Sequence, residues 1–133
     1  MPSSKKTTVA IIDDNRLVRE ALTAMLGALP EFRVLASPTA DSAFLTAAKP
    51  QVVLLDVGLG DQDSLRVAAA IRSEVPDARI IVMDLIPDNE EVVEFVNAGV
   101  CGFVLKDATF DEFVATIRSV AAGKQYLGEG IND

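Results

Sequence analysis

The sequence predicts an α/β domain built on one parallel sheet with helices on both faces. Five short apolar runs alternate with five segments of helical periodicity at roughly even spacing, the pattern of repeated strand–helix units. The third run, Val52 to Leu55, has no polar break and stops at a single aspartate, Asp56, with Pro50 before it and glycines after. A run this short and this apolar suits a central strand buried on both sides. Right-handed crossovers then place every strand's carboxyl end on one edge, the edge at which open α/β sheets bind their ligands.

The elements follow in order. Residues 1–6 form a short polar lead that frays. Thr7 to Ile12 reads as the first strand and runs into Asp13-Asp14-Asn15. Leu17, Val18, Ala21, Leu22, Met25 and Leu26 recur at helical spacing behind Asn15 as cap, and Gly27 and Pro30 close the segment. Phe32–Ala36 is a second strand and Thr39–Ala48 a second helix, ended by Lys49-Pro50. After Asp56, Ser64–Glu74 is helical with Leu65, Ala68, Ala69 and Ile71 inward. Ala78–Met83 is a fourth strand that stops at Asp84. Asp88 opens the next helix with Glu91 three residues on, and Thr109 opens the last with Glu112, two capping boxes. Between them Cys101–Leu105 is the fifth strand, leading to Lys106, and Gly123 stops the final helix.

Composition excludes several classes. The chain has 133 residues, half of them hydrophobic, enough for one domain with a core of its own. It has no apolar run of the roughly 20 residues that a membrane span needs and no signal-peptide core at its start. One cysteine, Cys101, allows no internal disulfide and fits a reducing cytoplasm. A net charge of −8 repels phosphate backbones, so no direct nucleic-acid contact by this segment is expected. Without histidine, common zinc sites and His-based catalysis are out. The acids favour a hard, oxygen-seeking ion, magnesium above all.

The charged residues expected at the strand ends are Asp13, Asp14, Asp56, Asp84 and Lys106. Converging carboxylates are costly without a counter-charge. A magnesium ion held by Asp13, Asp14 and Asp56, with a backbone carbonyl just after Asp56 at Gly58, answers that cost. The same ion would screen an incoming phosphodonor and leave Asp56 as a carboxylate nucleophile. Lys106 would pair with Asp56 or with the phosphoryl group placed on it. As a simpler alternative, Asp13 and Asp14 are acids favoured at a helix start by its dipole.

This four-part pattern resembles the receiver domain of bacterial two-component response regulators, end to end over residues 7–123. Ala98-Gly-Val-Cys-Gly-Phe-Val-Leu-Lys-Asp107 and the close from Ile117 to Leu127 resemble the NarL/FixJ-type subfamily, whose receivers lead through a linker into a LuxR-type helix-turn-helix domain. The resemblance implies a flavodoxin-like (CheY-like) fold with strand order 2-1-3-4-5, and phosphoryl transfer from a sensor histidine kinase to Asp56. It implies magnesium held directly by Asp14 and Asp56, with Asp13 acting mainly through water. It also implies a switch: a hydroxyl at the end of strand four reaches the phosphoryl group, and an aromatic on strand five, here Phe103, swings inward. Control of dimerisation or of an attached DNA-binding domain would follow. Residues 124–133 then read as the start of a linker to an effector domain, the chain being either free-standing or cut from a longer regulator, with the position of its ending favouring the cut.

Asp84 departs from the pattern, which has Thr or Ser there. A hydroxyl donates to a phosphoryl oxygen, whereas an ionised carboxylate only accepts. Two like charges about 4 Å apart repel by roughly 4 kcal/mol at an effective dielectric of 20, before metal and lysine screen them. Asp84 can protonate and donate, pair with Lys106 and mimic the phosphorylated state, or disable the switch. Gly60 stands where the family usually has Pro, and Ser64 where it usually has Gly, departures expected to affect the loop more than the chemistry. The rival from another class is a pseudo-receiver, an interaction module without phosphoryl chemistry. A flavin carrier is remote, because the loop after strand one is acidic where a phosphate loop offers glycines and bare amides.

Overall fold

Five consecutive buried residues make β3 (Val52–Asp56) the middle of the sheet. The computed structural model describes residues 6–57, 63–85 and 89–123, with the side chains of 84 and 85 excepted. Flanking β3 are β1 (Thr7–Ile12) and β4 (Arg79–Leu85), with β2 (Phe32–Ser37) and β5 (Val100–Leu105) at the edges. Every pairing is parallel and the order is β2-β1-β3-β4-β5, as the resemblance implies. The order reverses between β1 and β3, which opens a crevice outside their carboxyl ends.

The alternation of side chains along the strands divides the core in two. One face, with Ala10, Ile12, Val53, Leu55 and Val82, packs under α2 (Ser42–Ala48), α3 (Ser64–Glu74) and α4 (Asn89–Asn97). The other, with Val9, Ile11, Leu54 and Ile81, packs under α1 (Arg16–Gly27) and α5 (Phe110–Ala121). Asn15 caps α1, its side-chain oxygen accepting from the Val18 amide, and Thr109 with Glu112 completes both bonds of a capping box on α5. The expected cap at Asp88 lies outside the described residues.

Three local expectations are corrected, and the covered side of α1 is added. Helix α2 starts at Ser42, not Thr39, because the Ser37 hydroxyl ties up Thr39 in a turn and Asp41 is the cap, accepting from Ala43. On α3, Ala69 is exposed; the inward side is Ser64, Ala68 and Ile71 with Leu65 packed against the same core, and a residue next to Ala68 is turned about 100° away. On α1 only Leu26 is fully buried, while Leu17, Val18 and Met25 face outward, Leu17 being 77% exposed. The fourth strand does not stop at Met83: its backbone continues to Leu85.

Both irregularities of the sheet lie between β4 and β5. Where β4 goes from Ile80 to Ile81, β5 advances two residues, from Val100 to Gly102. This bulge at Cys101 inverts the facing of the rest of the strand, so Phe103 enters the α2–α3–α4 side of the core and Val104 the other. Farther on, β4 advances from Met83 to Leu85 as β5 moves from Val104 to Leu105, which makes Asp84 the additional residue.

Between α4 and β5, Gly99 has φ +102°, and a Cβ there would come within 2.3 Å of the Arg72 Cδ. The left-handed backbone alone makes a side chain unfavourable. Gly99→Ala is expected to destabilise the fold by roughly 1–3 kcal/mol, read as a lower urea midpoint at unchanged m-value. An unchanged midpoint would show that the turn reaches this φ without needing glycine.

Candidate functional site

Both β1 and β3 deliver an acid to the crevice. Asp13 follows β1 directly and is 3% exposed; Asp56 ends β3 and is 7% exposed. The turn after β1 is held on three sides. The Asp13 amide donates to the Ser37 carbonyl at 3.2 Å, and the Arg19 Nη1 donates to the Asp13 carbonyl at 2.8 Å. The Asp13 carboxylate accepts from the Asn15 amide at 2.8 Å. Asp14, next along, is exposed at the mouth. A carboxylate oxygen from each of Asp13, Asp14 and Asp56 lies within 4.8 Å of the other two.

This crowding shows in the chemistry of Asp13. Its pKa is pushed up from 3.8 to about 6, first by burial and then by the neighbouring Asp56 charge and a hydrogen bond to Asp56, against the lowering effect of the Asn15 amide. Above that pH the site gathers buried negative charge, which a hard cation relieves. The donor set fits magnesium: all oxygen, clustered, and open on one side through Asp14. That fit rests on the carboxylates, since Gly58, the expected carbonyl donor, lies outside the described residues.

The remaining expected residues divide. Lys106, one residue past β5, lines the same cleft as Asp13 and Asp56, a space of about 220 Å³ that Asn15, Val18 and Met83 also border. Phe103 is fully buried, its ring edge-on to Phe95 with centroids 6.2 Å apart. The side chain of Asp84 lies outside the described residues. Ser64 was legible only as a departure from the usual glycine. It is buried at the start of α3, and its hydroxyl donates to the Val57 carbonyl at 2.7 Å.

Comparison with known proteins agrees with this geometry. A sequence model of the family described as "Response regulator receiver domain" matches residues 9–118. The transcriptional regulatory protein MctR of Rhizobium johnstonii is 29% identical over all of this chain, which covers 64% of that protein. The DNA-binding transcriptional activator DevR/DosR of Mycobacterium tuberculosis is 33% identical over 90% of this chain and 56% of its own length. The chain thus spans little more than half to two thirds of these regulators. Among solved structures, a LuxR-family response regulator from Aurantimonas sp. SI85-9A1 superposes with TM-score 0.85 at 23% identity, covering 96% of this chain and 93% of that one, a likeness of fold. The signal receiver domain of the putative response regulator NarL from Mycobacterium tuberculosis gives TM-score 0.77 at 29% identity over 90% of this chain and 99% of that one. With its parallel sheet in the order 2-1-3-4-5 and its acids gathered at the carboxyl edge, the chain belongs to the response regulator receiver domain family.

Proposed function

We propose that Asp56 is the phosphoacceptor of a two-component signalling pathway. The observation that carries this reading is the convergence of Asp13, Asp14 and Asp56 beside Lys106 on one open cleft. An ionised Asp56 oxygen attacks the phosphorus of the donor. The new P–O bond forms as the bond to the donor's leaving group breaks, and the departing electron pair stays with that group. Asp13 and Asp14, with the Gly58 carbonyl, would hold magnesium against Asp56. When bound, the ion neutralises charge on the transferring phosphoryl group. Lys106 offers a compact positive charge to the same oxygens.

The physiological donor is a phosphohistidine on a sensor kinase, reached through the cleft. The result is a change in dimerisation or in an attached DNA-binding domain, which the longer relatives leave room for. Among the described residues no helix is long and apolar enough to cross a membrane, and a cytoplasmic site of action fits this chemistry. The second reading, an interaction module without phosphoryl transfer, draws on Asp84 in place of the switch hydroxyl and on Phe103, already held on the inward side by Phe95.

Intact mass after incubation with magnesium and acetyl phosphate tests the proposal. One phosphoryl adduct is expected on the parent, lost on Asp56→Asn and in the presence of a chelator. An adduct that survives Asp56→Asn, or none on the parent, would sink it.

A further inference from the structure

The chain leaving Asp56 is fastened by a side chain on the next helix. Ser64 is 6% exposed at the first position of α3, where Asp63 caps the helix by accepting from the Leu65 amide at 3.0 Å. Its hydroxyl donates to the Val57 carbonyl at 2.7 Å, and the Asp56 carbonyl lies 3.3 Å from the same oxygen. A hydroxyl has one proton, so the bond to Val57 is the main one and the contact to Asp56 its weaker branch. From the other side the Val57 amide donates to the Met83 carbonyl at 3.2 Å. Val57 is therefore held by β4 through its N–H and by α3 through its C=O.

We propose that Ser64 is a positioning residue for the ion site. By fixing the peptides on either side of Val57, it sets the direction in which Asp56 presents its carboxylate to Asp13 and Asp14. The cap at Asp63 locks the serine onto the helix, so the hydroxyl acts as a rigid strut between α3 and the end of β3. Removing it takes away the hydroxyl donor of the Val57 carbonyl, in a cleft lined by Leu65 and Phe95 but also by Asp63, Glu91 and Glu94, and the peptide is free to rotate toward another donor. Glycine, usual in the family at this place, has no such strut.

The inference rests on the reading of Asp13, Asp14 and Asp56 as magnesium ligands, so its test is a magnesium titration followed on the Asp13, Asp56 and Val57 amide NMR signals, with no phosphodonor present. Ser64→Ala and Ser64→Gly are expected to weaken magnesium binding about fivefold, the ratio one ordinary hydrogen bond sustains, and to speed hydrogen exchange at Val57. Ser64→Thr, which keeps the hydroxyl, is expected to stay within about twofold of the parent on the same reasoning. A purely structural role would lower the urea midpoint of Ser64→Ala and leave the magnesium affinity untouched, and that result overturns the proposal. So would a folded Ser64→Thr as weak as Ser64→Ala, or a parent that binds no magnesium. A parent that binds magnesium but takes no phosphoryl adduct sinks the signalling reading alone and leaves the Ser64 result standing.

Discussion

In magnesium-free buffer the protein should lose stability as the pH rises from about 4.5 to 7, and added magnesium should return most of it. The cause is Asp13, whose pKa is raised from 3.8 to about 6 in the folded state. Below 3.8 the carboxyl is protonated in both states and contributes nothing unfavourable. Between 3.8 and 6 the folded protein keeps a proton that the unfolded chain has released, so each step up in pH favours unfolding. Well above 6 the penalty is complete, on the order of 1–3 kcal/mol at roughly 1.4 kcal/mol per pKa unit once solvent screening is allowed for. Glu31 works in the opposite sense. Its carboxyl is held below 4.5 by the hydrogen bond from Arg118, so its stabilisation is present above 4.5 and lost as the pH falls. Working above that value removes the Glu31 effect and leaves that of Asp13 with its neighbour Asp56.

Urea midpoints across this window provide the measurement. The parent should fall steeply, whereas Asp13→Asn should keep only the shallow slope that a chain of net charge −8 has from general repulsion. Magnesium at about a hundred times its Kd should restore 2–3 kcal/mol to the parent at neutral pH, and much less to Asp13→Asn. Equal slopes for the two proteins would mean that Asp13 is not the titrating group. The prediction ties stability to the proposed function: the proton that steadies the site at low pH sits between two of the carboxyls proposed to hold the ion.

Much of the architecture was legible because it depends on short-range signals. The unbroken run Val52–Leu55 announced a buried central strand, and the Thr109–Glu112 spacing announced a capping box with both of its bonds. Periodicity located α1 but not the side that would be covered. The spacing of Leu17, Val18 and Met25 fits a helix whether or not anything packs on that stripe, and here it stays largely open. The bulge at Cys101 left no mark in the sequence, although it decides which core receives Phe103. The site acids were readable as a set because parallel crossovers bring strand ends together. Their mutual effect on Asp13 and the strut from Ser64 needed distances that spacing alone does not supply.

Asp84→Thr should raise the phosphoryl adduct level or lifetime at neutral pH by about tenfold, equivalent to about 1.4 kcal/mol. For an assumed separation of about 4 Å, the unscreened repulsion between an ionised Asp84 and a phosphoryl group on Asp56 is larger, roughly 4 kcal/mol at an effective dielectric of 20, and the proposed magnesium and Lys106 charges would remove much of it. The backbone adds to the interest of this position, since Asp84 is the additional residue where β4 outruns β5. Bulges of this kind re-aim side chains beside functional sites. Asp84→Asn separates charge from donation, because an amide is neutral and donates. If repulsion limits the parent, both variants gain. If instead a protonated Asp84 donates as a threonine would, the parent's adduct level falls as the pH rises and Asp84→Thr gains nothing at low pH. A third pattern, in which Asp84 pairs with Lys106 and stands in for the phosphoryl group, predicts that Asp84→Thr turns a constitutive output into one that requires phosphorylation. Intact mass at two pH values, run beside an oligomer assay with and without acetyl phosphate, distinguishes the three. A variant indistinguishable from the parent in every arm would remove Asp84 from the switch.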